Sequence, residues 1–138
     1  MRGNAGMQKR ILIINTGGTL SSVKSCNGLV PGMSSGDMLE ELRMVSRNLE
    51  LEAEDFCSLD SSNIGPEDWT GLAKLIAKRS YDYDGIVVIH GTDTLAYTSA
   101  MLSFMLQNIS IPVVVTGSQL SIANPVACLL YTSPSPRD

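Results

Sequence analysis

The chain has 138 residues, of which 43 % are hydrophobic and 17 % are charged, a composition typical of one globular domain with a buried core. Its formal net charge is −4 and its lysines and arginines form no extended basic stripe, which argues against a nucleic-acid-binding surface. No apolar run is long enough for a secretory signal or a membrane span, so we expect a soluble cytoplasmic protein that does not contact membranes.

Short apolar runs that resemble buried strands alternate with segments of helical periodicity along the chain. The strands are predicted at residues 10–15, 49–58, 85–90 and 111–116. The helices are predicted at residues 37–47, from the helix-starting segment Gly65–Asp68 onward, and at 94–107. This alternation predicts an α/β fold in which helices flank a mostly parallel sheet and the crossovers are right-handed.

Two features outside these elements affect the functional interpretation. Residues 16–36 are rich in Gly, Ser, Asn and Pro, and they predict a long functional loop that could hold a small hairpin around Asn27–Gly28. The three cysteines, Cys26, Cys57 and Cys128, are too widely spaced for a disulfide framework or a zinc site, which favours reduced thiols.

Two of the predicted strands end in a turn that contains glycine and threonine. The first strand runs into Thr16–Thr19, and the third runs into His90–Thr94. Ligands bind at the carboxyl ends of the strands in a parallel sheet, so two threonine hydroxyls, one carboxylate and several backbone N–H groups could meet there. Such a set of groups could attack a carbonyl carbon, provided that a base activates the hydroxyl.

Each residue in these turns also has a structural interpretation. Gly17 and Gly18 could form a tight turn or an oxyanion site, since neither nucleotide-binding glycine pattern is present. Asp93 could cap the following helix or bind a substrate ammonium group. His90 precedes glycine at a strand end, where a packed, hydrogen-bonded role is favoured over that of a catalytic base. Thr19 alone could be a simple turn residue.

Four segments, in order and at characteristic spacing, resemble the motifs of the bacterial-type L-asparaginase family, in its cytoplasmic type. They are Asn15–Leu20, Asp60–Ser62 with Gly65–Trp69, His90–Leu95, and Val114–Gln119. The resemblance extends over about residues 9 to 125 and implies hydrolysis of L-asparagine to L-aspartate and ammonia, with L-glutamine as a further substrate to consider. No metal or organic cofactor is implied, and the partner is a small-molecule substrate.

The resemblance also implies a role for particular residues. Thr19 would be the nucleophile, Thr92 the second essential threonine, and Asp93 the group that binds the substrate ammonium and helps to activate Thr92. The remaining substrate contacts would come from Ser61, which holds the α-carboxylate, from Ser62 beside it, and from backbone N–H groups near Gly18 and Gly91 that polarise the amide carbonyl. The 16–36 loop would close over the substrate as a lid.

The chain departs from the family pattern in two respects. Residues 20–36 contain no tyrosine near the nucleophile, and Leu29 stands close to its place. Family chains are more than twice as long, act as homodimers or homotetramers, and carry a catalytic lysine further along. We therefore expect residues 1–8 to be disordered, 9–126 to form an incomplete N-terminal asparaginase-type domain, and 127–138 to be an aberrant read-through tail. By itself such a fragment should have little activity.

Two other functions remain open at this point. The amidase subunit of a tRNA-dependent amidotransferase shares these motifs. A non-catalytic domain of the same fold that binds an amino acid is the second alternative, and the absence of the lysine and the loop tyrosine favours it for the isolated chain.

Overall fold

The computed structural model describes residues 8–16, 22–25, 28–31, 35–56, 64–118 and 129–132. The strands are β1 (Lys9–Asn15), β2 (Ser22–Ser25), β3 (Gly28–Pro31), β4 (Leu49–Asp55), β5 (Gly85–Ile89), β6 (Val113–Ser118) and β7 (Leu129–Thr132). The helices are α1 (Ser35–Val45), α2 (Pro66–Arg79) and α3 (Leu95–Met105). The three cysteines lie outside the described residues, as do residues 1–7 of the segment predicted to be disordered.

Five of the strands form one sheet in the order β4-β1-β5-β6-β7. Neighbours from β4 to β6 are parallel, and β7 runs antiparallel to β6 at the edge. The predicted α/β fold with a mostly parallel sheet flanked by helices is therefore confirmed. The edge strand is not predicted by the sequence pattern: the β-prone run Leu129–Thr132 pairs with Val115–Ser118, within the segment expected to be a tail.

The small hairpin predicted within the 16–36 loop is confirmed. Strands β2 and β3 pair antiparallel, with Ser25 opposite Gly28, and form a two-stranded sheet separate from the main one. The residues between them, 26–27, lie outside the described part of the chain.

The predicted and observed boundaries agree within a few residues, and the shifts have local causes. Strand β6 begins at Val113 instead of Ile111, because Pro112 lacks an N–H group and contributes only its carbonyl, which accepts from Ile86 at 3.0 Å. Helix α2 starts at Pro66 as predicted, and Asp68 accepts the N–H of Gly65 at 2.9 Å.

Alternate side chains of a strand point to opposite sides of the sheet, and helices pack against both sides. On one face, Leu12 and Ile14 of β1 belong to a core that α2 and α3 complete with Ile76 and Leu102. On the other face, Ile13 packs in a smaller cluster with Met38 of α1 and Ile89 of β5. Within the described segments, no helix is both long and apolar enough to cross a membrane.

A charged cluster links β4 to the amino ends of β1 and β5. Arg10 Nη2 lies 2.9 Å from Glu52 Oε1, and the hydroxyl of Tyr83 donates to Glu52 Oε2 at 2.5 Å. The guanidinium carbon of Arg10 lies 5.0 Å from the centroid of the Tyr83 ring. The bond from Tyr83, followed by that from Arg10, lowers the pKa of Glu52. The cluster ties together the ends of the sheet opposite the Gly-Thr turns.

Candidate active site

The segments that follow β1 and β5 begin next to each other, and hydrogen bonds to the carbonyl of Ile89 join them. Thr16, 1 % exposed, donates both its backbone N–H, at 3.0 Å, and its hydroxyl, at 2.7 Å, to the carbonyl of Ile89. The turns that contain the two candidate threonines therefore begin side by side at the carboxyl edge of the sheet, as the sequence predicted.

The end of β4 is joined to the same edge. Asn15 Nδ2 donates to Asp55 Oδ1 at 2.9 Å, and the N–H of Phe56 donates to the carbonyl of Asn15 at 2.9 Å. Asn15 is only 5 % exposed, so its side chain holds the exposed Asp55 against the end of β1, where β1 and β4 are paired. The 57–62 segment, which contains the predicted serines, starts from this point.

Some of the predicted site residues are described and others are not. Gly91 is buried, Thr92 is half-buried and the side chain of Asp93 is exposed, all in the turn that follows β5. The others lie outside the described residues: Gly18, Thr19, Ser61 and Ser62.

The structure tests the capping interpretation of Asp93. Helix α3 is capped by Thr94, whose carbonyl accepts the N–H of Thr98 at 2.9 Å. Asp93 precedes the cap and its side chain is exposed, so the N-cap interpretation is wrong. Its carboxylate remains at the sheet edge, next to Thr92.

His90 is fully buried and takes part in a chain of side-chain hydrogen bonds. Its Nδ1 lies 2.7 Å from the carbonyl oxygen of Gly91, and its Nε2 lies 2.9 Å from the hydroxyl oxygen of Thr98. A carbonyl can only accept, so Nδ1 carries the proton and Nε2 accepts from Thr98. Thr98 in turn accepts the indole N–H of Trp69 at 2.8 Å. Burial lowers the pKa of His90, which favours the neutral ring.

This arrangement agrees with the packed role preferred for His90, and it adds two residues that the sequence interpretation had not considered as polar partners. They are Trp69 and Thr98. The available signal is a threonine eight residues after the histidine, on a helix predicted to be deeply packed that also carries Ser99 and Ser103.

Strand β6 fixes the other side of the same turn. The N–H of His90 donates to the carbonyl of Thr116 at 2.8 Å. Gly117 lies so close to the carbonyl of His90 that a β carbon at this position would overlap the carbonyl oxygen. The segment Thr116–Gly117 thus supports the turn from the neighbouring strand.

These features define an α/β domain in which hydroxyl and carboxylate groups gather at the carboxyl edge of a parallel sheet. The chain belongs to the asparaginase family: the family model for "Asparaginase, N-terminal" matches residues 10–127.

Curated relatives carry two kinds of name. The chain is 45 % identical over 118 residues to an L-asparaginase from Thermococcus kodakarensis, a match that covers 84 % of this chain and 36 % of the relative. It is 43 % identical over 124 residues to L-asparaginase 1 of Escherichia coli K12, covering 85 % and 36 %. It is also 38 % identical over 124 residues to a glutamyl-tRNA(Gln) amidotransferase subunit of Saccharolobus solfataricus, covering 87 % and 28 %. The chain thus spans about a third of the length of these relatives.

Solved structures show the same fold. L-asparaginase I from Vibrio cholerae superposes with a TM-score of 0.78 at 36 % identity, over 87 % of this chain and 37 % of that one. A probable cytoplasmic L-asparaginase from Campylobacter jejuni gives a TM-score of 0.68 at 30 % identity, over 86 % and 35 %.

Proposed function

We propose that this chain is the N-terminal part of a cytoplasmic L-asparaginase, which hydrolyses L-asparagine to L-aspartate and ammonia through a threonine nucleophile. The single observation that carries the proposal is the shared anchor of the two Gly-Thr turns at the carbonyl of Ile89, in a chain of this family. The shared anchor supports a site that uses hydroxyls from both turns.

In this proposal the hydroxyl oxygen of Thr19 attacks the side-chain amide carbon of the substrate. The carbon–nitrogen bond breaks, and the amide nitrogen leaves as ammonia after taking up the proton that the Thr19 hydroxyl lost. Water then hydrolyses the resulting ester, which releases L-aspartate and restores the hydroxyl. Thr92 and the adjacent carboxylate of Asp93 provide the second hydroxyl and its activation, and Asp93 binds the substrate ammonium group. An exposed carboxylate at the end of β5 is suitably placed for that contact.

The remaining contacts with the substrate are proposed from the resemblance of these segments to the family motifs. Ser61 and Ser62 would hold the α-carboxylate of the substrate, and backbone N–H groups near Gly18 and Gly91 would polarise the amide carbonyl. The anchoring of Asp55 to Asn15 supports this placement, because the segment with the serines starts next to the first turn. No cofactor takes part, L-glutamine is a second substrate to test, and the whole protein acts as a homodimer or homotetramer.

The test uses a chimera in which residues 10–127 replace the matching segment of the Thermococcus kodakarensis relative. We expect the chimera to release ammonia from L-asparagine and the 138-residue chain alone to release little.

In the chimera, Thr19→Ala and Thr92→Ala should each abolish most turnover, since one hydroxyl relay fails if either member is lost. Asp93→Ala should raise KM and lower kcat. Thr70→Ala, at an exposed position on α2, is the matched control.

Normal turnover in folded Thr19→Ala and Thr92→Ala chimeras would contradict the assignment. Tight binding of L-asparagine without ammonia release would instead favour a non-catalytic amino-acid-binding domain.

A second candidate is the amidase subunit of a tRNA-dependent amidotransferase, which the 38 % identity to the Saccharolobus solfataricus protein supports. The higher identity to the L-asparaginases, at 43 % and 45 %, favours the first proposal. Ammonia release from free L-asparagine in the absence of tRNA supports the asparaginase. Release that depends on a charged glutamyl-tRNA(Gln) would support the amidotransferase.

A further inference from the structure

Beyond the proposed catalytic groups, the buried hydrogen-bond chain Trp69–Thr98–His90 ends directly on the peptide that precedes Thr92. We infer that these three side chains are positioning residues, which orient the Gly91–Thr92 peptide for the reaction without touching the substrate. The inference rests on the proposed function for its relevance to catalysis, but its structural part can be tested separately.

The direction of every hydrogen bond in this chain is determined by its last acceptor. The carbonyl of Gly91 can only accept, so His90 Nδ1 must donate, and Nε2 is left as an acceptor. The hydroxyl of Thr98 therefore gives its proton to Nε2 and uses its oxygen to accept the indole N–H of Trp69. An indole N–H can only donate, so the hydrogen bonds from α2 to the turn have only one consistent set of directions.

The fixed imidazole determines where the next peptide group points. All peptide bonds described are trans. In a trans peptide the carbonyl and the N–H point in opposite directions. Since the carbonyl of Gly91 points to the buried ring of His90, the N–H of Thr92 points away from it. Rotation of this peptide would break the bond to Nδ1 in the interior, where a lost hydrogen bond is costly.

The three side chains of this hydrogen-bond chain lie on regular elements or directly next to them, which explains why the position of the Gly91–Thr92 peptide is well defined. Trp69 lies in the first turn of α2, Thr98 lies in α3, and His90 directly follows β5. Thr98 and His90 are both fully buried, so neither side chain can exchange its partner for water. A small error in the position of a reacting group costs much of the rate, and a site supported by two helices and a strand reduces that error.

The experiment exploits the fact that the sequence contains one histidine and one tryptophan. In the 138-residue protein, nitrogen NMR of the His90 ring should show a single neutral tautomer with the proton on Nδ1. Thr98→Val removes the hydroxyl with little change in shape, and we expect it to alter the ring signals and to shift the amide signals of Gly91 and Thr92. Thr98→Ser should restore both, and Trp69→Phe should have a smaller effect in the same direction.

Ser99→Ala is the matched control. Ser99 is 6 % exposed on the same helix, and its hydroxyl donates to the carbonyl of Leu95 at 2.8 Å instead of to His90. It should leave the His90 ring signals unchanged. If Thr98→Val does not fold, Trp69→Phe and Thr98→Ser still test whether these hydrogen bonds orient the His90 ring.

The chimera described above then tests the relevance to catalysis. Thr98→Val should lower kcat about tenfold or more while KM changes by less than about twofold, because misorientation affects the reaction more than binding. Thr98→Ser should recover most of kcat. Unchanged ring signals and unchanged kcat in Thr98→Val would overturn the inference, as would an equal loss in Ser99→Ala. An inactive parent chimera with the expected NMR changes would refute the proposed function and leave the positioning of the turn established.

Discussion

Gly117 lies against the carbonyl of His90, so closely that the backbone of β6 leaves no room for a β carbon. We predict that Gly117→Ala destabilises the fold by about 1–3 kcal/mol, because the clash involves a backbone carbonyl that cannot move aside without breaking the hydrogen bond from His90 N–H to Thr116. Urea unfolding, followed by the fluorescence of Trp69, measures the change.

Gly65→Ala is the control for this substitution. No atom lies within 4 Å of a β carbon built at Gly65, which precedes α2 in an extended conformation. The reduced entropy of the unfolded chain and the poorer cap should offset each other to within about 0.5 kcal/mol. Equal losses at the two glycines would show that the contact with His90 carries no special cost.

The bond between Asn15 and Asp55 makes a second prediction possible. Asn15→Asp would place two carboxylates at 2.9 Å, where the amide now donates, and should cost roughly 1–3 kcal/mol near neutral pH. The loss should shrink as pH falls toward about 4, because two carboxyls in contact take up a proton more readily than either does in the unfolded chain.

The swapped pair tests whether the contact itself is responsible. Asn15→Asp combined with Asp55→Asn restores one donor and one acceptor, so the double variant should recover at least half of the loss in urea unfolding. Failure of the second substitution to improve on Asn15→Asp would contradict the prediction.

Most of the fold could be predicted from local patterns. The buried strands β1 and β5 are continuous apolar runs that end in glycine turns, and α2 begins with proline followed by acids, so each has its own signal. Strand β7 has no such signal, because a four-residue strand depends on the edge of β6 that it pairs with. Long-range pairing of this kind is set by tertiary structure.

The candidate site was predictable to a similar extent. Two turns after neighbouring parallel strands must meet at one edge, so the proximity of residues 16 and 90 followed from topology alone. The side-chain partners did not follow. Whether Asp93 or Thr94 caps α3 depends on the backbone at the helix start, and the bond of Thr98 to His90 depends on how α3 packs against β5.

The third prediction concerns the amino-end cluster. Tyr83→Phe removes the hydroxyl that donates to Glu52, which should cost about 0.5–1 kcal/mol at neutral pH, at the low end because the carboxylate is partly exposed. The bond also lowers the pKa of Glu52, so its contribution is present above the ordinary value of 4.5 and is lost as pH falls through the lower folded value. Tyr83→Phe should therefore weaken the loss of stability in acid.

Tyr81→Phe provides the matched control, because Tyr81 is 91 % exposed and lies two residues away. It should leave both the stability at neutral pH and the acid dependence unchanged. If both tyrosine variants behave alike, the bond to Glu52 contributes nothing measurable.

The fourth prediction is a pH dependence that arises from His90. Burial lowers its pKa in the folded protein below the ordinary value of 6.5, so the unfolded chain takes up the proton first as pH falls. Stability contributed by the neutral ring is therefore fully present above about pH 6.5 and is lost as pH falls from there toward the folded pKa. Protonation also adds a donor at Nε2, which then faces a hydroxyl that already donates to it.

We expect the free energy of unfolding to decrease as pH falls below about 6.5, and His90→Gln to remove that slope while lowering stability at every pH. The ordinary pKa values of carboxyl groups lie well below 6.5. The chain has no other histidine, so the slope just below pH 6.5 can be assigned to one residue. The ring signals of His90, followed by NMR over the same range, should show the neutral form persisting below pH 6.5 in the folded protein. A folded-state pKa at or above 6.5, or an unchanged slope in His90→Gln, would contradict the prediction, since burial of the ring disfavours its charged form.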